Sequence, residues 1–554
     1  MSIATPSRPA ATPAPGPPVP STRWPGRAWW RAYRHHLRLL RGTAAAWTLV
    51  LTGIGAGVVA TFEDRLPTQV ERAAADALEG VPAFEALFGR FVQPGSLEGF
   101  VLSRWTGMFA IFVAVWGMLA ATKLLRGAED AGHAEALRAG ALSPRGLLGA
   151  AAAAMLTWFA LFAVAVGSAH AAAGMDTATS WALGGAMGLL AASFGAVGTL
   201  ASQVAASRRR ATRLAGVVLG AALAVRVLAA ATATPDWVWW ATPFGWIGFL
   251  HEADDARGAV FAAFAVMLVV VLAGAFTFAR RDLHAGVVGG AEETVMRVRP
   301  VGGQLGLTGR LTGAAVVGWG AVLATAALLF TLLTDDFVAV TADMPEAAAV
   351  YEQMGYTALH TSEGFVALVL GWFFVVGVAL FAAAQVAAIR EEEASWRIEH
   401  LLVRPVGRVR WLTTRTLAAT AGIAVLALAV GVAVWAGTAL GGTALAVGDA
   451  LLAGANLVPA ALLFLGLGVL LFGLIPRLTA PLAYGVVIAA YLLDFVGPLL
   501  ELPDALLDVS PFRHLAEVPV ADLDITAALI MLGIGALAAM AGIAAFRLRD
   551  LKEA

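Results

Sequence analysis

The chain has 554 residues, 59% of them hydrophobic and only 14% charged, with 60 Gly and no Cys. Soluble domains carry about 25% charged residues, so a soluble enzyme is excluded, and the lack of Cys excludes disulfides, thiolate metal sites and Cys nucleophiles. The net charge of -1 points to no class of partner. Apolar runs of roughly 20 residues recur along the chain, each long enough to cross a bilayer as a helix. Scarce period-2 alternation argues against a transmembrane barrel, and abundant Gly suits helices that approach closely in lipid. The fold class expected is an all-α polytopic membrane protein.

In chain order, residues 1–22 are rich in Pro, Ala and Ser; they read as a disordered tail without the apolar core of a cleavable signal peptide. Residues 23–41 mix aromatic and basic side chains, among them Trp29, Trp30, Arg31, Tyr33, Arg34 and Arg38. That composition predicts an amphipathic helix in the inner headgroup layer; an extension of the first span is the alternative. The first half, 42–283, holds six predicted spans near 43–61, 104–122, 146–170, 181–205, 214–232 and 259–279. A linker covers 284–310. The second half, 311–554, holds six more near 314–333, 365–389, 412–436, 457–475, 482–498 and 525–546.

Taking the N-terminal segment as cytoplasmic, 30 of the 37 Lys and Arg fall on that side, six fall opposite, and Arg226 lies within a span. This split predicts both termini in the cytoplasm. The long opposite-side loops at 63–99 and 334–364 contain helical-looking stretches at 68–78 and 345–355, expected to cap the outer exit.

The halves repeat each other. FARRDL at Phe278–Leu283 and FRLRDL at Phe546–Leu551 stand 268 residues apart, and the same shift maps Thr242, Pro243 and Phe244 onto Ser510, Pro511 and Phe512. At a shift of 264, Arg126, Glu129, Glu135 and Leu137 map onto Arg390, Glu393, Glu399 and Leu401. Six spans per half is an even number, so both halves enter the bilayer in the same direction and form a parallel repeat about an axis along the membrane normal. Such a pseudo-dimer places equivalent helices around a central seam, an arrangement suited to transport.

The segment after the second span of each half reads as a short charged helix, then a Gly or Pro step, then a basic turn into the next span. The positive-inside bias accounts for its Arg residues but not for its Glu residues. This pattern, with the Ser-Pro-Phe loop before the last span, resembles the type 2 ABC permeases. Two six-span halves in one chain resemble, more closely, the permease subunits of actinobacterial polyketide-antibiotic exporters of the tetronasin type. The resemblance covers everything after the N-terminal tail. Its most specific part is 390–411, and the first half departs from it at Gly132, His133 and Ala134.

The resemblance implies a type V ABC exporter-like fold and a bacterial plasma-membrane location. It makes the two segments coupling helices that dock on a separate ABC ATPase subunit, present in two copies and carrying ATP and Mg. The coupling residues are then Glu129, Glu135, Arg138 and Arg145 in the first half, with Glu393, Glu399, Arg404 and Arg408 in the second. The chain itself has two Lys, Lys123 followed by Leu and Lys552 followed by Glu, so it contains no Walker A sequence. No cofactor of its own and no nucleic-acid partner are expected; lipid and a lipophilic small molecule are.

Charges inside spans mark functional candidates. Arg226 and Asp494, 268 residues apart, are expected to form a central gate or clamp, with outward snorkelling the alternative. Phe109, Phe112, Trp116, Trp372, Phe373 and Phe374 fit a mainly apolar substrate path, as they fit lipid-facing packing. His, Asp and Glu are too scattered for a metal site. Two rival readings stay open: an ion-coupled secondary transporter, for which Asp494 is the candidate site, and a membrane-embedded lipid-modifying enzyme, which requires a clustered acid, base or metal site.

Overall fold

In the computed structural model, the residues described are 25–77, 79–90, 92–130, 132, 142–231, 235–251, 254–279, 303–343, 358, 360–395, 407–443, 445–498, 500 and 502–549. They form helices and turns, without a strand among them. Among the described residues, twelve helices are long and apolar enough to cross a membrane: Gly26–Ala60, Phe109–Asp130, Pro144–Ala172, Thr177–Val204, Arg208–Ala230, Ala256–Phe278, Gly306–Thr331, Ser362–Ala394, Arg408–Leu440, Val447–Leu474, Pro476–Val496 and Ile525–Leu548. They correspond one to one with the predicted spans and are numbered one to twelve below. The protein is an all-α, multi-pass membrane protein.

Local chemistry sets the helix ends. Span three starts at Ser143, whose hydroxyl accepts from the Gly146 amide, with Pro144 in the first turn. Span four starts at Asp176 and span twelve at Asp524, each accepting an amide of its own first turn. Span ten is broken at Asn456 between Val447–Ala455 and Val458–Leu474, where Pro459 withholds a main-chain donor. The Asn456 side-chain amide instead donates to Ala516 O at 2.8 Å.

One prediction is corrected here. Residues 25–41 are not a separate interfacial helix but the first turns of a single helix, Pro25–Ala60. At 1.5 Å per residue its 36 residues extend about 54 Å, well beyond the roughly 30 Å hydrocarbon layer. No Gly-Pro step or cap interrupts it, and the Trp and Arg residues read as interfacial serve equally as the part of the span that leaves the bilayer.

Spans four and ten are the hubs of the two halves. Span four packs on spans two, three, five and six, and span ten on spans eight, nine, eleven and twelve. Spans one and three pair closely, as do seven and nine. This shared pattern makes the halves two copies of one six-helix unit. Small residues let the backbones meet: a methyl added at Gly466 would lie 2.0 Å from Gly535 O, and one at Gly473 would lie 2.3 Å from Gly542 O.

The halves meet reciprocally. Span five packs on span seven, while Leu500, just beyond span eleven, reaches span one at Gly57, and Arg65 donates to Pro498 O. On the side opposite the termini, the short helix Pro82–Phe88 of the first half packs on Thr334–Asp343 of the second. The predicted helix at 68–78 is present as Gln69–Asp76, closed by a Thr68–Glu71 capping box. The stretch predicted at 345–355 lies outside the described residues.

Span two and span eight share a further feature. Ser96 caps the Gly99 amide and Thr361 caps the Gly364 amide, and each cap leads into Glu-Gly-Phe-Val, at Glu98–Val101 and Glu363–Val366. Shortly afterwards both helices widen into a π-helical turn, Leu102–Thr106 in one and Leu370–Phe374 in the other. Such turns concentrate at functional sites.

Candidate functional site

Two places in the fold gather the predicted residues: the roots of the charged segments and the seam between the halves. At the first root, Arg126 and Glu129 face each other one turn apart, with Nη1 to Oε2 at 2.6 Å. Arg126 Nε also donates to Ser202 O at the end of span four, at 2.9 Å. Both side chains are buried. Asp130 accepts the Arg208 amide at the start of span five, at 2.8 Å. Arg145 is exposed and donates to Phe276 O at 3.2 Å.

The second root repeats the first pair and adds to it. Arg390 Nη1 lies 2.9 Å from Glu393 Oε2, and Glu393 Oε1 accepts from Arg549. The neighbouring Glu392 pairs with Arg415 of span nine at 2.7 Å, and Arg408 donates to Arg549 O at 2.6 Å. Glu129 and Glu393 therefore spend their carboxylates inside the protein, where they hold the segment roots against spans four and twelve. Glu135, Arg138, Glu399 and Arg404 lie outside the described residues.

A cavity of about 40 Å³ sits beside the first root, lined by His36, Leu125, Glu129, Leu148 and Gln203 among others. It has room for a few waters and is far smaller than the 300 Å³ or more of a drug-sized site.

At the seam, Arg226 of span five is buried to 2% exposure. Its guanidinium donates to Ala86 O at 3.0 Å and Gly107 O at 3.1 Å, tying the Pro82–Phe88 helix to span two just after the π turn. Asp494, in contrast, is half-buried near the end of span eleven. No ion pair joins the two among the described residues. Equal position in a repeat puts them on matching helices, but Arg226 is already engaged within its own half.

The aromatic candidates divide. Phe109, Phe112 and Trp116 belong to a stack inside the first half, with Trp47 of span one, Trp105, and Phe159 and Phe162 of span three. They are packing between spans one, two and three. Trp372 alone stands across the seam, its ring 5.4 Å from Phe88 of the first half and 5.1 Å from Phe495 of span eleven. Phe373 and Phe374 pack on Phe330 of span seven.

Several participants escaped the sequence reading. Arg126 and Arg390 carried a signal, an Arg–Glu spacing of three repeated at one shift, and Arg549 stood in plain view within FRLRDL. The π turns and the burial of Arg415 at the end of a basic run had none.

The family model described as "Multidrug efflux system permease Rv1217c, C-terminal domain" matches this chain twice, at residues 35–279 and 301–547. Each match coincides with one six-helix half. The multidrug efflux system permease protein Rv1217c of Mycobacterium tuberculosis (strain ATCC 25618 / H37Rv) is 30% identical over 530 residues, covering 94% of each chain.

Proposed function

Because the chain belongs to the multidrug efflux system permease family, we propose that it is the membrane subunit of an ATP-driven ABC exporter that moves lipophilic compounds out of a bacterial cell. Both termini and both charged segments lie in the cytoplasm in this reading, as the positive-inside split requires. A separate ATPase, in two copies, docks on the segments 126–145 and 390–411 and supplies ATP and Mg. Polyketide-type antibiotics are the proposed cargo class.

The observation that carries the reading is the repeated root. Two cytoplasmic segments, each leaving the second span of its half, begin with the same Arg–Glu pair, Arg126–Glu129 and Arg390–Glu393, and one member of each pair also bonds to another part of the bundle, Arg126 to Ser202 O and Glu393 to Arg549. A surface loop tolerates slack; a lever that passes force to helices requires a fixed root. Two equivalent levers on one face also match an ATPase dimer whose subunits approach and separate.

Copurification with a co-encoded ATPase tests this, followed by ATP hydrolysis in lipid nanodiscs for wild type and Glu399→Ala. A stable complex is expected, with lipophile-stimulated turnover at least about tenfold lower in the variant. Transport without any bound ATPase, driven by a proton or sodium gradient, would refute the reading and make Asp494 the leading ion site.

A further inference from the structure

The two ends of the second segment return to one residue. At the near end Glu393 Oε1 accepts from the Arg549 guanidinium, while Oε2 accepts from Arg390. At the far end Arg408 Nη1 donates to the main-chain oxygen of Arg549 at 2.6 Å. Arg549 follows span twelve directly, and its own position is fixed three ways. Its Nη1 donates to Phe472 O of span ten at 3.0 Å. Its guanidinium lies 5.2 Å from the Phe472 ring and 5.3 Å from the Phe546 ring, within cation–π range. Those two rings pack 5.2 Å apart on helices whose backbones touch at Gly473 and Gly542. Side-chain exposure is 17% for Arg549 and 11% for Glu393, so solvent competes weakly for the pair.

We infer that Arg549 is a positioning residue that clasps the second cytoplasmic segment, tying both of its ends to the rigid pair of spans ten and twelve. Displacement of the segment then moves those two spans with it. The consequence for export rests on the proposed ATPase coupling; the clasp itself does not. The repeat counterpart, Arg281, lies outside the described residues, and the first segment is fastened at Ser202 and Arg208 instead.

Hydrogen exchange on the full-length permease in nanodiscs, with no ATPase added, tests the clasp at two sites. The Ser395 amide bonds to Glu391 O and the Trp411 amide to Gly407 O, each at 3.0 Å. Because the Arg549 main-chain oxygen survives substitution, Arg549→Met and Glu393→Gln are each expected to speed exchange about tenfold at the Ser395 flank, and Arg408→Met to do so at the Trp411 flank. Arg549→Lys retains the charge and should return the Ser395 flank toward wild type. Unchanged exchange in span six, Ala256–Phe278, is the control for folding. If Arg549→Met leaves the Ser395 flank unchanged, or Arg408→Met leaves the Trp411 flank unchanged, the clasp is overturned. With the ATPase added, cargo exported per ATP should fall at least about fivefold in Arg549→Met relative to wild type. A wild-type permease that binds no ATPase would overturn the proposed function while the exchange pattern still decides the clasp.

Discussion

Arg226 illustrates what a single buried charge does in this bundle. Its two carbonyl partners, Ala86 O and Gly107 O, satisfy donors that lipid could not, and in return it holds the far-side helix Pro82–Phe88 on span two. Hydrogen bonds from charged donors contribute about 1.5–3 kcal/mol each way they are lost. Arg226→Met is therefore expected to lower the thermal midpoint in nanodiscs markedly, as followed by Trp fluorescence. Exchanging the charges in Arg226→Asp with Asp494→Arg should rescue nothing, the two defects adding independently; rescue would mean that the pair forms after all. Sequence showed that both residues were costly and repeat-related, but not which way either pointed. The same gap separates expectation from structure at Glu129 and Glu393. Both stand out as acidic residues in a basic loop, yet only their burial reveals that they fasten the segment and face inward.

At the level of helices, hydrophobic runs bounded by basic residues made all twelve spans legible, because span length is set by bilayer thickness rather than by tertiary detail. The π turns were invisible, since no residue type demands them, whereas the unbroken course of span one was one of two readings the sequence left open. Glycine was legible as a composition and silent as a location. Gly107 is the sharpest case: a methyl there would fall 1.6 Å from Phe88 O, a main-chain atom that can yield only if the Pro82–Phe88 helix moves. Gly107→Ala is expected to destabilise by about 1–3 kcal/mol, in the range of overpacked cores, and to disturb the Phe88–Trp372 contact across the seam. Thermal unfolding of Gly107→Ala beside Gly216→Ala, where a methyl meets open space, measures this; equal midpoints would count against the close approach.

Across the whole molecule, duplication yields a scaffold with near two-fold symmetry and unequal fastenings. Span five packs on span seven, Leu500 just beyond span eleven reaches Gly57 of span one, and one family model covers both halves. The segment roots share the Arg–Glu pair but differ around it. In the first half Asp130 holds the start of span five, where the repeat has Ala394; in the second, Glu392 holds span nine and Arg549 closes the loop. In the proposed coupling, two levers with one root and different outer ties would pass force to different helices. The aromatic candidates also differ between the halves. Three of the six are first-half packing, and Trp372, flanked by Phe88 and Phe495, is left as the residue that spans the seam.

The central claim is that ATP binding and hydrolysis on a partner subunit drive this permease. Its most direct test is export of a fluorescent lipophile from proteoliposomes containing the permease and its ATPase, with proton and sodium gradients collapsed by ionophores. Export that requires ATP and Mg, and that stops when the ATPase cannot hydrolyse, is the result expected. Export that ignores ATP and vanishes with the ionophores would contradict the account.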